Sequence, residues 1–162
     1  MRVPEDIHAR VLELTRAIVD SYASADRKAA WELHAELREF CESTAAAGRD
    51  HPFLWETLAD FTPDDRAAIE LYKRALEQAS LHGAATYEGS ILLELAERHV
   101  TLGESALAYE YAVRADAVAS GTDDLDLRRA ISQFLLDNSV QDEEKPGSEC
   151  NFPDAPPGPG AA

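Results

Sequence analysis

Small residues recur about forty positions apart in this chain, and this repeat constrains the fold more than any other feature. Ala30, Ala68 and Ala108 are separated by 38 and 40 residues. Each is followed, four and seven positions later, by two further packing residues: His34 and Leu37, Tyr72 and Ala75, and Ala112 and Ala115. Repeats of this length are typical of stacked helical hairpins, in which each unit buries its apolar face only against its neighbours. Such stacks present a concave surface, so the repeat predicts a binding protein.

Apolar residues keep helical spacing through most of the chain, and proline, glycine and capping residues divide it into seven predicted helices. The first four are expected at 4–22, 26–47, 52–61 and, with Thr62 as N-cap and Pro63 as first helical residue, 62–83. The fifth is expected at 84–102, the sixth ends at Gly121, and the seventh follows a Thr122 cap. On the second helix the residues expected to point inward are Trp31, Leu33, Leu37 and Phe40. The seventh helix closes the stack, and its expected apolar face consists of Leu125, Leu127, Ile131, Phe134 and Leu135.

Residues 92–108 resemble a tetratricopeptide repeat, a unit of two antiparallel helices. Leu92 precedes the pair Leu95 and Ala96, Gly103 ends the first helix, and Ala108 lets the two helices approach closely. The two preceding units match less completely, at Trp55, Ala59, Ala68, Tyr72, Ala75 and Leu76, and at Ala25, Ala30 and Leu37. In the middle unit Glu56 occupies the small position and Pro63 the glycine position. The spacing of 38 to 40 residues exceeds the family's usual length of about 34, which indicates longer helices or links.

The resemblance covers about residues 4–140 and implies an all-α fold: a right-handed superhelix of about three antiparallel helical hairpins with a C-terminal capping helix. It also implies binding rather than catalysis, on a concave face lined by the first helix of each pair. The family's ligand-facing positions correspond here to Thr15, Val19, Tyr22, Phe53, Thr57, Asp60, Ser90, Glu94, Glu97 and Thr101.

These positions offer mostly acids and hydroxyl groups. Family members that grip a peptide's C-terminal carboxylate need Lys, Arg and Asn there, so that mode of binding is disfavoured. An acidic groove with Tyr22 and Phe53 as anchors suits a basic partner, because interface energy concentrates in aromatic centres with charged rims. The alternative is that Glu94 and Glu97 form only a solvated helical face.

The chain is strongly acidic. Its 162 residues include 31 acidic and 15 basic side chains, which gives a net charge of −16. Residues 1–140 carry 26 acidic and 14 basic side chains, a net charge of −12, so most of the acidity belongs to the predicted helical repeat domain. A phosphate backbone would be repelled, which disfavours nucleic acid and favours a basic protein as partner. The alternative is that the acidity only maintains solubility.

Residues 141–162 differ in composition from the rest of the chain. From position 146 onward they contain five prolines and three glycines. Such a segment cannot sustain a helix and has little apolar area to bury, so it is predicted to be a disordered tail. The alternative is a docking peptide built on Phe152 and Pro153.

Little in the sequence points to catalysis, a cofactor or a metal. It contains no glycine-rich phosphate loop, Gly-x-Ser-x-Gly elbow, His-Glu-x-x-His motif or Cys-x-x-Cys pair. His34 and His99 occupy packing positions, and Cys41 is expected to be a small buried hydrophobe. The capping of a helix explains the pair Asp64 and Asp65. We therefore expect a protein that is not an enzyme and needs neither cofactor nor metal.

Two binding roles fit these features. An acidic cytoplasmic domain suits an inhibitor that binds and neutralises a basic effector or toxin, as immunity proteins do. It also suits a secretion chaperone, or an adaptor scaffold, that holds a partner peptide in the concave groove. The inhibitor is favoured because the charge is spread over the whole fold. The cytoplasm is expected because the chain has only two cysteines, no run of signal-peptide length and no stretch near the roughly 20 apolar residues of a membrane span.

Overall fold

The computed structural model describes residues 1–139, and within this range the chain forms seven α-helices and no β-strand. The all-α class is therefore confirmed. The tail predicted at 141–162, with Phe152 and Pro153, lies outside the described residues. The helices are α1 (Glu5–Ala23), α2 (Arg27–Ala46), α3 (Pro52–Asp60), α4 (Asp65–Leu81), α5 (Ala85–Thr101), α6 (Ser105–Ala119) and α7 (Leu125–Asn138).

Each helix packs against the next helix along the chain. Three hairpins result, α1 with α2, α3 with α4 and α5 with α6, and α7 packs against both α6 and α5. Short links between successive helices make neighbouring helices antiparallel. Because α3 also contacts α5, and α5 contacts α7, these three odd-numbered helices adjoin one another.

The small residues of the repeat are buried in the structure. In each hairpin the opening alanine is buried, and most of the residues four and seven positions later are buried as well: Ala30 and Leu37, Ala68, Tyr72 and Ala75, and Ala108, Ala112 and Ala115. Residues at this spacing share one face of a helix, so small side chains there let a second helix approach closely. His34 is the exception, because it is half-buried and its Nε2 atom lies 3.3 Å from the Thr62 hydroxyl oxygen.

The start of α4 lies later than the sequence predicts. Asp64, and not Thr62, is the N-cap, because its carboxylate accepts a hydrogen bond from the Ala67 N–H at 2.7 Å. Pro63 therefore precedes the helix. Thr62 is buried, and its hydroxyl donates to the Leu58 carbonyl at 2.7 Å, which satisfies an unpaired carbonyl near the end of α3. A carboxylate two residues downstream thus replaces the hydroxyl as the cap.

The same correction applies to α7, where Asp124 rather than Thr122 caps the helix. On its predicted apolar face Ile131 is fully buried and Leu127, Phe134 and Leu135 are half-buried. Leu125, in contrast, is exposed. It precedes Leu127 by two positions and therefore lies on another side of the helix.

Trp31 was expected to point inward, but its side chain is 72% exposed. The buried stripe of α2 runs through Ala30, Leu37 and Cys41. Trp31 directly follows Ala30, so it is rotated by about 100° from that stripe. The expectation was wrong because the apolar character of Trp31 was counted without its position around the helix.

Two glycines, one within α5 and one just after it, allow close packing near the C-terminal helices. Gly103 follows α5 with a φ of 73°, a conformation that other residues rarely adopt. Gly89 lies where α7 crosses α5, and a Cβ atom there would stand 3.1 Å from the Leu127 Cδ2 atom. The lack of a side chain at Gly89 therefore brings the start of α7 next to α5.

Candidate partner-binding face

Four carboxylates of α3 and α5 form one surface, which we call the acidic face. Glu56 and Asp60 belong to α3, and Glu94 and Glu97 to α5. Spacings of four and three residues place each pair on one side of its helix. Together the two helices hold five acidic side chains, the fifth being Glu88, and their only Lys or Arg is Arg98.

Tyr72 of α4 joins the two helices of the acidic face. The residue is buried, and its hydroxyl donates a hydrogen bond to Asp60 Oδ1 at 2.6 Å. The same oxygen lies 3.4 Å from Glu94 Oε2. A phenol donates one hydrogen, so the shorter contact is the principal bond. Burial raises the pKa of Tyr72, and the hydrogen bond to Asp60 raises it further, so the hydroxyl stays protonated.

Glu56 is the most strongly perturbed carboxyl of the acidic face. The Ser90 hydroxyl, which belongs to α5, donates a hydrogen bond to Glu56 Oε1 at 2.9 Å. Burial raises the pKa of Glu56 to about 7, and the charges of Asp60 and Glu94 act in the same direction, against the hydrogen bond from Ser90. At neutral pH the carboxyl is therefore divided between its charged and neutral forms.

The other carboxylates of the acidic face also lack an ion-pair partner. Burial raises the pKa of Glu94, and the charges of Glu97 and Asp60 raise it further, although Arg98 lowers it. Among residues 1–139, none of the four carboxylates makes an ion pair with a Lys or Arg side chain. The acidic face is therefore a site of uncompensated negative charge.

Arg98, the cation nearest to the acidic face, is bound elsewhere. Its Nη1 atom donates to Asp65 Oδ1 of α4 at 2.8 Å, and its guanidinium carbon lies 5.9 Å from the centre of the Tyr72 ring. Asp64 caps α4, and Asp65 in the first turn of that helix pairs with Arg98.

The structure brings together some of the residues proposed from the sequence. The Tyr72 hydroxyl contacts both Asp60 and Glu94, and Ser90 donates a hydrogen bond to Glu56. Glu97 is exposed beside Glu94. Thr57 is half-buried on α3, and Thr101 is exposed, with its hydroxyl donating to the Glu97 carbonyl within α5.

The remaining proposed residues lie apart from the acidic face or contribute little surface. Thr15 is buried, and its hydroxyl donates to the Leu12 carbonyl within α1. Phe53 is half-buried against the core, with its ring 5.7 Å from that of His8. Tyr22 is exposed near the end of α1, and Val19 lines a depression there with Phe61. The pair of aromatic anchors expected from Tyr22 and Phe53 is therefore not found at the acidic face.

A cavity of about 360 Å³ adjoins Glu56 between α3, α5 and the start of α7. Its lining consists of acidic and hydroxyl side chains with one leucine: Glu56, Thr86, Tyr87, Ser90, Asp124, Asp126 and Leu127. Sequence reasoning did not find Asp124 or Asp126, because only the contact of α7 with α5 places them there, and it did not single out Tyr87 of α5. The acidic surface thus extends beyond the four carboxylates toward α7.

Two further residues considered in the sequence, His99 and Cys41, lie in the core. His99 is a buried residue, and its Nδ1 atom lies 2.6 Å from Glu104 Oε2. Its ring stacks on the ring of Tyr111. Cys41 is fully buried, which confirms that prediction, and its burial raises the pKa of the thiol to about 12. Across residues 1–139 no group of three potential ligands could hold a metal ion, and no helix is long and apolar enough to cross a membrane.

Comparisons of the chain with models of known protein families, with curated proteins and with solved structures find no match. A functional proposal therefore rests on the geometry of the acidic face and on the helical repeat predicted from the sequence.

Proposed function

We propose that the chain is a non-catalytic protein-binding module that takes a basic partner on its acidic face, and that its three hairpins wind into a right-handed, tetratricopeptide-like superhelix. The contacts of α3 with α5 and of α5 with α7 support this arrangement, because the first helices of neighbouring units pack side by side in such a superhelix. In such a superhelix the first helix of each pair lines the concave side. Two of these helices, α3 and α5, supply the acidic face.

The lack of countercharge on the acidic face carries the proposal. The raised pKa values of Glu56 and Glu94 mean that the free protein stabilises their charged forms less than water does. An ammonium or guanidinium group from a partner would stabilise these charged forms. Each unit by which binding lowers such a pKa corresponds to about 1.4 kcal/mol of favourable coupling. A basic partner is thus favoured over a neutral or acidic one.

The first candidate for this partner is a basic effector or toxin, which the chain would neutralise as immunity proteins do. The support for this role is the distribution of charge. Residues 1–139 carry 26 acidic and 14 basic side chains over all parts of the domain. A field of this extent steers a basic protein toward the domain and accelerates encounter.

The second candidate is a secretion chaperone or an adaptor that holds a basic peptide. One observation favours it: the four carboxylates of the acidic face, none of which has an ion pair, lie close together on two adjoining helices, α3 and α5. A strip of this kind suits an extended segment, as in other grooves that recognise peptides. The inhibitor remains first because the rest of the domain is also acidic.

Calorimetric titration with a lysine-rich peptide tests the acidic face. The double variant Glu94→Lys/Glu97→Lys should bind at least about tenfold more weakly, while its circular dichroism stays unchanged because lysine is a good helix former. The matched control is Glu39→Lys/Glu42→Lys, which changes the same charge at the same spacing on α2 and should have a much smaller effect. Equal losses in the two variants would show that only overall charge matters and would remove the site from α3 and α5.

A second titration separates the two candidate roles. A folded basic protein and an unstructured basic peptide of equal net charge are compared as ligands. Tighter binding of the folded protein supports the inhibitor. Tighter binding of the peptide supports the chaperone or adaptor.

A further inference from the structure

The C-terminal end of the fold leaves apolar side chains uncovered. Leu136 of α7 is 65% exposed, and Tyr109 and Val113 of α6 are 54% and 44% exposed. They line a groove between α6 and α7 of about 550 Å³, together with Asp116, Ser132, Leu135 and Ser139. A side chain seated in this groove would bury apolar surface on both helices.

The groove continues into a basic surface along α7. Arg128 and Arg129 line this part, which shares Ser132 and Leu136 with the groove. Arg128 has no ion-pair partner among residues 1–139, and Arg129 has only an exposed contact of 3.3 Å with Asp126 of its own helix. We call the groove and this basic part together the α7 outer surface. It suits a ligand that combines an aromatic side chain with acidic groups.

The segment that follows α7 has this chemistry. Residues 140–162 carry five acidic side chains and one lysine, and Phe152 is their only aromatic residue. Ser139 itself lines the groove, so the chain leaves the described domain at the edge of the α7 outer surface. The segment is therefore tethered beside a surface that presents two arginines.

The segment is also long enough to reach all of this surface. Phe152 follows Ser139 by 13 residues. At about 3.3 Å per residue an extended chain of this length spans up to roughly 40 Å. The helical rise from Arg128 to Ser139 is only about 16 Å.

We propose that the segment beginning at residue 140 folds back onto the α7 outer surface. Phe152 occupies the groove against Leu136, Tyr109 and Val113, and acidic residues of the segment lie beside the two arginines. The tether supplies a millimolar effective concentration, so weak contacts suffice to hold the segment. A second copy of the chain could bind the same surface, but it lacks this advantage. The bound segment covers the end of the stack, where terminal elements of repeat proteins prevent association.

Paramagnetic relaxation from a nitroxide at Cys150 tests this proposal in the full chain. Cys150 lies two residues from Phe152, whereas Cys41 is fully buried and has a raised thiol pKa, so labelling is selective. The amide signals of Tyr109 and Leu136 should be lost, and those of the α1–α2 hairpin retained. Uniform broadening, or none, would overturn the proposal.

Variants in the segment and on the surface sharpen the result. Phe152→Ser should restore the lost signals and Phe152→Leu should not, and neither substitution changes a residue of the helical domain. Arg128→Glu/Arg129→Glu should also restore them, whereas the control Arg27→Glu/Lys28→Glu, which changes the same charge on α2, should leave the loss intact. If spin-labelled chains broaden these signals in unlabelled, isotope-enriched chains, the occupant is a second copy and the proposal is wrong.

Discussion

The hydroxyl of Tyr72 lies 2.6 Å from the Asp60 carboxylate, although the Tyr72 side chain is otherwise enclosed in the core. This bond joins α4 to the last residue of α3. One buried residue therefore also holds a carboxylate of the acidic face.

Tyr72→Phe removes this donor while it keeps the ring. The free energy of unfolding should fall by about 1 to 2 kcal/mol, because Asp60 loses its hydrogen bond in a partly desolvated position. Urea denaturation measures the change. Tyr109→Phe is the control, since Tyr109 is exposed and should tolerate the loss of its hydroxyl. Equal stability of both variants with the wild type would mean that the Tyr72 bond contributes nothing net.

Glu56→Gln should alter how stability depends on pH. The pKa of Glu56 is raised from 4.5 to about 7, so between these values the folded state binds more protons than the unfolded state. The contribution of this carboxyl to stability therefore falls as pH rises from about 4.5 to 7. Glutamine can still accept the Ser90 hydrogen bond but has no charge to bury. The variant should exceed the wild type by about 1 to 3 kcal/mol at pH 8 and match it at pH 4.

Urea denaturation at the two pH values checks this expectation. Glu39→Gln on α2 serves as the control, because Glu39 is exposed. A difference between Glu56→Gln and the wild type that does not change with pH would contradict a raised pKa at Glu56.

Binding of a basic ligand should depend on ionic strength through its association rate. Raising salt from about 50 to 500 mM shortens the reach of electrostatic attraction from more than 10 Å to a few Å. Association of a lysine-rich peptide, followed by stopped-flow fluorescence, should slow sharply, and dissociation should change less. A rate constant of association that is indifferent to salt would remove charge steering from the proposed function.

Two alanines of α6 test the packing register. Ala108 is buried and Ala106 is exposed. Ala108→Leu should lower the free energy of unfolding by about 1 to 3 kcal/mol, because the added carbons must separate packed helices. Ala106→Leu should change it by less than about 0.5 kcal/mol. Thermal denaturation followed by circular dichroism compares them, and equal tolerance would contradict the register.

The sequence predicted the helices and much of the packing because those features are local. Ala68, Ala75 and Ala108 were found from spacing alone, since residues four and three positions apart share a helix face. Trp31 shows the limit of this reasoning. An apolar residue can lie beside the buried stripe, and only the position of the neighbouring helix decides whether anything covers it.

The acidic face was predicted only in part, for a similar reason. Ser90 and Glu94 came from the tetratricopeptide resemblance, but Glu56 was seen only as a mismatch to the pattern. Tyr72 was identified as a packing residue, and nothing in its spacing shows that its hydroxyl reaches α3 and α5. These contacts join residues 12 to 34 positions apart, which are brought together by the stacking of hairpins and not by any single helix.

Packing between successive helices also bears on how the domain folds. Because each helix contacts the next one along the chain, most contacts form by closing short loops, which costs little chain entropy. Domains rich in such local contacts fold quickly. In arrays of this kind folding can begin at any unit and spread to its neighbours. A destabilised hairpin would therefore shift the starting point of folding along the chain without closing the route to the native state.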